Sequence, residues 1–292
     1  MRTFTALINP ISGGGRAEEL WRPISEALAA ASAPVTEVRT RGREHAVATA
    51  RLAAERGDVV VAVGGDGLVR DAAGGAGVHG GTVAIVPGGR GNDLAACLGV
   101  PTAPADVART LLDGPARGLD LLDVNGILVP GNVYIGIDSV ATRIINQYRF
   151  VPARLLYRLA PVRAIATWRA ANYTLIVDGR ARHARAHTVI VANSGHYGHG
   201  LNIVPPAVPD DGLAHVMVVG DGPRSAIVRF MSAARSGRHV DRPEVDIGTA
   251  TTVTVDADRP IPVCADGDEV ATLPSTITLR RHAIHVIAAR SA

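Results

Sequence analysis

Over the first hundred residues, short apolar runs alternate with stretches of helical periodicity, and this rhythm breaks near residue 130. Phe4 to Ile8 predicts a strand that ends at Asn9-Pro10-Ile11-Ser12-Gly13-Gly14-Gly15. Leu20, Ile24, Leu28 and Ala31 recur at spacings of three and four, which predicts a helix over 17–31. Val35 to Arg39 predicts a second strand, and His45 to Glu55 a second helix. In Asp58 to Val63 an unbroken, valine-rich apolar run follows the Asp, the pattern of a strand buried on both faces. It ends at Gly64-Gly65-Asp66-Gly67, and a fourth strand, Thr82 to Val86, ends at Pro87-Gly88-Gly89-Arg90-Gly91-Asn92-Asp93. Strand, loop and helix repeated in this way predict a parallel sheet with helices on its faces.

Beyond residue 130 the predicted strands are Val133–Ile137, Tyr173–Val177, Thr188–Ala192, His215–Val219, Thr251–Val255, Thr276–Leu279 and Ile284–Ile287. Most are separated by turn residues such as Asp178-Gly179 and Asp211-Gly212-Leu213 rather than by helices, which predicts a β-rich second domain. Helical stretches interrupt it at roughly 140–147, 153–170 and 223–236. The expected domains are therefore 1–129 and 130–292. No internal repeat or low-complexity segment is present.

Composition narrows the chemistry. A chain of 292 residues that is 47% apolar and 20% charged can bury two ordinary cores and is not a disordered chain. Aromatic residues make up only 3%, too few for a single-stranded nucleic-acid surface built on stacking. The two cysteines, Cys97 and Cys264, lie far apart, which argues against a disulfide framework or a cysteine zinc site and fits a reducing compartment. No apolar run approaches the ~18–20 residues needed to span a bilayer, and the first residues read as a strand rather than a signal peptide. All 30 basic residues are arginine, so phosphate contacts fall to guanidinium groups or backbone N–H.

Three Gly-rich segments sit where strands of the parallel sheet end, the edge at which open α/β sheets bind ligands. Glycine lets backbone N–H groups approach an anion closely, so the three together point to a nucleotide or phosphate site. Neither the Lys-containing P-loop nor the dinucleotide-binding Gly pattern is present. Instead, Gly64-Gly65-Asp66-Gly67 and Gly91-Asn92-Asp93 each carry a carboxylate inside the turn. Beside a polyphosphate such an Asp calls for a divalent cation, and Mg²⁺ held by one or two carboxylates is the natural mediator. Each Asp taken alone could equally shape its loop as an Asx-turn.

Asn9-Pro-Ile-Ser-Gly13, Gly64-Gly-Asp-Gly67, Pro87-Gly-Gly-Arg-Gly-Asn-Asp93, Asp120, Asn132 and Asp266-Gly-Asp268 follow the order seen in diacylglycerol kinases. From residue 4 to about 287 the chain resembles the soluble bacterial lipid kinases of the diacylglycerol and sphingosine kinase family. That resemblance implies a three-layer, Rossmann-like α/β N-terminal domain and a β-sandwich-like C-terminal domain, as in NAD kinases, with ATP bound between them. It implies that the C-terminal residues return to domain 1, and that domain 2 binds the lipid. By the same resemblance Asn9, Pro10, Ser12, Gly13, Thr40, Gly65, Asp66, Gly67, Asp71, Arg90 and Asn92 contact the nucleotide. Asp66, Asp93 and Asp120 organise catalytic Mg²⁺, and Asp211 with the carbonyls of Val208 and Leu213 holds a structural Mg²⁺. The implied reaction moves the γ-phosphoryl group of ATP to a lipid hydroxyl, most simply that of diacylglycerol. The implied setting is cytoplasmic, with peripheral contact at the inner face of the membrane, no nucleic-acid partner and, as in many such kinases, a homodimer.

Three departures stand out. Leu68 follows Gly-Gly-Asp-Gly where the family carries Thr, and Arg90 replaces the Thr of Gly-Thr-Gly-Asn-Asp. A guanidinium can hold phosphate, but two hydroxyls are lost. The family's catalytic base is the Glu of Asp-Gly-Glu; in register it is Asp268 here, with Glu269 as neighbour, and either carboxylate could serve. The Asp-Gly-Asp turn could also be a plain hairpin turn.

His196 and His199 have ligand spacing but lack a third ligand nearby, and read as a loop pair. Arg154, Arg158 and Arg163, with Arg149 before them, fall along an apolar helical stretch, either a solvated face or a contact with anionic lipid. Three other functions compete: a sphingosine- or ceramide-type kinase, an NAD kinase-like enzyme sharing the Gly-Gly-Asp-Gly loop, and a nucleotide-binding regulator with weakened catalysis.

Overall fold

The computed structural model describes residues 1–148, 153–198 and 200–288. The chain forms two compact units, one of Met1–Leu121, Gly198–Gly200 and Arg280–Ala292, the other of Leu122–Tyr197 and Leu201–Leu279. The first is the expected α/β unit and the second the expected β-sandwich-like unit. The division falls inside a strand, β5 (Ala116–Val124), rather than at the change of rhythm near residue 130.

In the first unit β1 (Phe4–Ile8), α1 (Ala17–Ala30), β2 (Val35–Arg39), α2 (Arg43–Glu55), β3 (Val59–Gly64), α3 (Asp66–Gly77), β4 (Thr82–Pro87), α4 (Asp93–Cys97) and α5 (Pro104–Asp113) precede β5. β2, β1, β3 and β4 lie side by side in parallel. Every residue of β1 and β3 is buried, as expected for strands covered on both faces. Phe4, Ala6, Ile8, Val59, Val61 and Val63 pack on one face with α1 and α5. The alternate residues face α2 and α3. α1 continues through Pro23, seven positions inside it, with Trp21, Ile24 and Leu28 buried.

The second unit holds β6 (Ile127–Val129), β7 (Asn132–Gly136), α6 (Ile137–Gln147), α7 (Ala153–Thr167), β8 (Ala171–Val177), β9 (Arg180–Ala192), β10 (His196–Tyr197) and β11 (Leu201–Asn202). There follow β12 (Ala214–Gly220), α8 (Arg224–Ala234), β13 (Val245–Ala250), β14 (Thr252–Ala257), β15 (Pro262–Ala265), β16 (Asp268–Thr272) and β17 (Ser275–Ile287). Antiparallel pairing dominates. β9 is its hub: residues 180–186 pair with β8, residues 188–192 pair with β7, and β12 joins from the other side. The core of this unit includes Val133, Ile135, Leu175, Val189, Val253 and Val263. β17 is one strand where the pattern predicts two. Ser275–Thr278 pairs antiparallel with β14, while His285–Ile287 adds a parallel strand beside β4 in the first unit.

α2 and α3 approach closely at Gly75, where an added Cβ would lie 2.3 Å from the Val47 carbonyl oxygen and 2.7 Å from the Ala50 Cβ. In an exposed helix Gly→Ala gains about 1 kcal/mol, but forcing a methyl into packed backbone costs about 1–3 kcal/mol. Gly75→Ala is therefore expected to lower the melting temperature despite its better helix propensity. A melting temperature at or above wild type in a calorimetric scan would contradict the close packing.

Candidate active site

The first unit carries three turns at the C-terminal ends of its parallel strands. They are fastened through backbone groups: Gly88 N–H donates to the Gly64 carbonyl at 2.8 Å and Asn9 N–H to the Val63 carbonyl at 3.2 Å. A Cβ at Gly89 would stand 2.4 Å from the Gly65 Cα, so the two Gly-rich turns touch backbone to backbone. Asp66 opens α3 and reaches across to the turn after β4. Its Oδ2 accepts the Asn92 N–H and its Oδ1 the Asp93 N–H, each at 2.8 Å. Asn92 holds a left-handed conformation (φ 56°), and its side chain accepts the Gly89 N–H at 2.9 Å and donates to the Gly89 carbonyl at 3.1 Å. Asp93 Oδ1 accepts the Gly200 N–H at 2.7 Å.

Asp66 and Asp93 flank Gly91, where an added Cβ would lie 2.6 Å from Asp66 Oδ2 and 3.6 Å from Asp93 Oδ2. Burial, reinforced by the Asp93 charge, pushes the Asp66 carboxyl above the usual carboxylate range. Two carboxylates so placed suit a divalent cation, whose charge would offset both their desolvation and their repulsion.

The other expected nucleotide residues divide by position. Asn9 Oδ1 accepts the Ile11 N–H at 3.2 Å, exposed Pro10 follows it, and Ser12–Gly14 forms a 3₁₀ turn. Ser12 Oγ lies 3.2 Å from where a Gly64 Cβ would stand. Gly67 is half-buried in the first turn of α3, and Arg90 is exposed on the turn after β4. Thr40 is fixed at the end of β2, its N–H donating to the Ile8 carbonyl at 2.9 Å. Leu68 is buried, with Cδ2 2.9 Å from the position of a Gly64 Cβ. Asp71 stands further along α3 in an ion cluster, bonded by buried Arg70 at 2.8 Å with Arg43 at 3.6 Å. Asp120 is fully buried on β5 and accepts the His282 N–H at 2.7 Å. His282 has φ 46° and is the kink in β17; its polar neighbourhood, Arg280-Arg281-His282, was the only signal for it in the chain.

In the second unit Asn132 is a buried knot at the start of β7. Its Oδ1 accepts the Asn193 and Ser194 N–H groups at 3.0 and 2.9 Å, and its amide donates to the His196 carbonyl at 3.1 Å. Asp266 and Gly267 both have positive φ (46° and 89°) and make the hairpin turn between β15 and β16. Asp268 begins β16 half-buried opposite Ala265; Glu269 follows opposite Cys264, exposed and bound to Arg143. At the Asp-Gly-Leu turn Asp211 Oδ1 accepts the Leu213 N–H at 2.9 Å, while the Val208 carbonyl accepts the Asp211 N–H at 3.5 Å. A carboxylate with two carbonyls is a hard-oxygen donor set of the kind Mg²⁺ takes. No group of three or more His, Cys, Asp or Glu suited to a metal occurs among the described residues.

Of the His196 and His199 pair, His199 lies outside the described residues; His196 pairs with Asn202 across a short hairpin. Arg149 and the side chains of Arg154 and Arg158 also lie outside the described residues. Arg163 sits over the Tyr148 ring, 5.8 Å from its centre. Arg143, Asn146 and Gly200 engage site residues without any motif in the sequence to mark them.

Gly-rich turns stacked at a parallel sheet edge, with carboxylates built into them, are an arrangement suited to a phosphate and its cation. Residues 3–124 match the family described as diacylglycerol kinase catalytic domain, and residues 131–288 the YegS C-terminal NAD kinase beta sandwich-like domain. A diacylglycerol kinase of Mycobacterium tuberculosis is 32% identical over 98% of this chain and 95% of its own length. One of Bacillus subtilis is 24% identical over 79% of this chain and 77% of its own. A crystal structure of a diacylglycerol kinase from Bacillus anthracis superposes with a TM-score of 0.81 at 22% identity, covering 99% of this chain and 98% of that one. The chain belongs to the diacylglycerol kinase and YegS-like lipid kinase family, and it is a kinase.

One carboxylate of the second unit is costly. Asp138, on the first turn of α6, retains some exposed surface yet lies deep among protein atoms, accepting the Thr188 hydroxyl at 3.1 Å. Burial pushes its carboxyl up to about 6. An acid whose folded value is raised contributes stability below its unfolded value, near 4, and loses it as pH rises through 6. Asp138→Asn is expected to raise stability at pH 7 by on the order of 1–3 kcal/mol and to flatten the decline between pH 4 and 6. Denaturant titrations across that pH range check it, and parallel curves for the two proteins would count against it.

Proposed function

We propose that the chain is an ATP- and Mg²⁺-dependent lipid kinase that transfers the γ-phosphoryl group to a lipid hydroxyl, with diacylglycerol the acceptor and phosphatidic acid the product. The observation that carries this reading is the Asp66 carboxylate, which ties the turn after β4 to the turn after β3 and brings Asp93 alongside. Such an arrangement offers backbone N–H groups to a polyphosphate and carboxylates to its cation.

In this reading Asn9, Pro10, Ser12, Gly13, Gly65, Gly67 and Asn92 line the nucleotide phosphates, with Thr40 and Asp71 bordering them. Arg90, exposed on its turn, supplies the fixed positive charge that other proteins take from lysine. Asp66, Asp93 and Asp120 would hold Mg²⁺, which would supply charge neutralisation at the transferring phosphoryl group. A structural Mg²⁺ belongs at Asp211 and the carbonyls of Val208 and Leu213. Asp268 accepts the proton of the lipid hydroxyl as its oxygen bonds to phosphorus and the bond to the ADP oxygen breaks. Glu269 is the lesser candidate because both its oxygens are taken by Arg143. Most of the acceleration then comes from positioning and charge stabilisation.

None of the helices among the described residues is long and apolar enough to cross a membrane. We further propose that the enzyme works in the cytoplasm, where ATP is available, and meets its lipid from the inner membrane surface.

Labelled ATP offered with diacylglycerol, sphingosine, ceramide and monoacylglycerol in mixed micelles, and with NAD in solution, tests the reading. Diacylglycerol is expected to be labelled fastest, and labelling of NAD alone would overturn the assignment. Asp268→Asn is expected to lower kcat by about 10²–10⁴-fold with the ATP KM within about twofold. Near-normal turnover in that variant would exclude Asp268 as the base. Arg90→Ala is expected to raise the ATP KM about tenfold with little change in kcat, the loss of one charged phosphate contact. An unchanged KM would remove Arg90 from the nucleotide site.

A further inference from the structure

One face of α6 is fastened to the β15–β16 hairpin along its length. Ser139, Thr142, Arg143 and Asn146 fall at i, i+3, i+4 and i+7, a single stripe of the helix. The Ser139 hydroxyl closes the start of α6 on Gly136, accepting its N–H at 3.0 Å and donating to its carbonyl at 2.9 Å. The Ser139 carbonyl in turn faces the Cys264 thiol of β15 at 3.7 Å. Burial, with the Glu269 charge nearby, pushes that thiol up to about 12, so it remains a protonated donor.

At the turn itself Gly267 is gripped by both its polar groups. Its N–H donates to the Tyr134 hydroxyl at 3.2 Å, and its carbonyl accepts the Asn146 amide at 3.2 Å. The Tyr134 hydroxyl also pairs with the Thr142 hydroxyl at 3.2 Å. Beyond the turn, Arg143 takes Glu269 in a two-pronged ion pair, Nε to Oε2 at 2.9 Å and Nη2 to Oε1 at 2.8 Å.

The hairpin ladder is irregular at this point. Cys264 pairs with Glu269 but Val263 with Ala271, which leaves Val270 as an extra residue on β16. A bulge lets a strand roll and re-aim its side chains, so backbone pairing alone does not fix where β16 directs them. Side chains of successive strand residues point to opposite faces. Holding Glu269 toward α6 therefore sends Asp268 to the other side. The pair is too exposed to contribute much stability, so its value lies in direction.

We propose that Arg143 is a positioning residue for phosphoryl transfer, acting through Glu269, with Asn146 as its support at Gly267, to aim the Asp268 carboxylate. This rests on Asp268 being the base. The helix that follows β7 thus serves as the splint of the hairpin that carries the acid–base group.

Steady-state kinetics with labelled ATP and diacylglycerol micelles, together with hydrogen exchange at the Gly267 amide, test it in Arg143→Met, Arg143→Lys, Glu269→Gln and the Met/Gln double variant. Arg143→Met and Glu269→Gln are each expected to lower kcat about tenfold by misaiming the base, with the ATP KM within about twofold. The double variant should be no slower than either single one, because only one interaction is removed. Arg143→Lys should recover only part of the rate, since an ammonium cannot form the fork. Exchange at Gly267 should quicken in Arg143→Met. A normal kcat, multiplicative losses in the double variant or unchanged exchange would each overturn the proposal. Asp268→Asn run alongside separates the two readings. If that variant is inactive while Arg143→Met is normal, only the positioning role falls; if it is active, the base assignment falls with it. Should Arg143→Met not fold, Asn146→Ala, which removes one side chain at the surface, carries the same expectations of slower turnover and faster Gly267 exchange, and normal values of both would overturn the proposal.

Discussion

The first unit's site depends on one constraint: a half-buried carboxylate with both oxygens committed to backbone amides of another loop. Asp66 stands where a helix begins, a place that already favours negative charge, and it spends its two oxygens on Asn92 and Asp93. The left-handed Asn92, the contact of Gly89 with Gly65 and the bareness of Gly91 all follow from drawing the second turn onto the first. Those charge-assisted bonds offset only part of the desolvation of Asp66, and the neighbouring Asp93 charge adds to its cost, an arrangement that suits a cation.

The second unit uses the same device with an amide in place of an acid. Asn132 satisfies two consecutive backbone N–H groups at the end of β9 and the carbonyl of His196, closing off a strand end that would otherwise bury unpaired groups. In both units one polar side chain fixes a neighbouring loop through its backbone groups. A rigid cradle made of glycine needs such a peg, since nothing in the glycines themselves selects one conformation.

Legibility in the chain followed burial. β1, β3 and β4 read directly because strands covered on both faces must be apolar throughout, and their Gly-rich exits carry the chemistry in plain view. β9 was half hidden: its first residues, Arg-Ala-Arg-His-Ala-Arg, lie on a solvated stretch where arginine and alanine give no apolar alternation. β17 read as two strands because Arg280-Arg281-His282 interrupts the apolar pattern where the chain kinks, and that kink brings the His282 amide to Asp120. β15 and β16 leave little trace in the sequence because they are short and flank an Asp-Gly turn without a sustained apolar alternation. Arg143 and Asn146 bear on a turn more than a hundred residues away, a relation that no local pattern encodes.

The first unit's parallel sheet takes its last strand, His285–Ile287 beside Thr82–Ala84, from about two hundred residues downstream. During synthesis β4 must wait as an open edge while the entire second unit is made, and an open edge is a template for the wrong partner. Its neighbour on that side is therefore settled by the order of manufacture as well as by energy. The first unit can collapse early, but it becomes complete only when the second has been threaded through and the chain has come home.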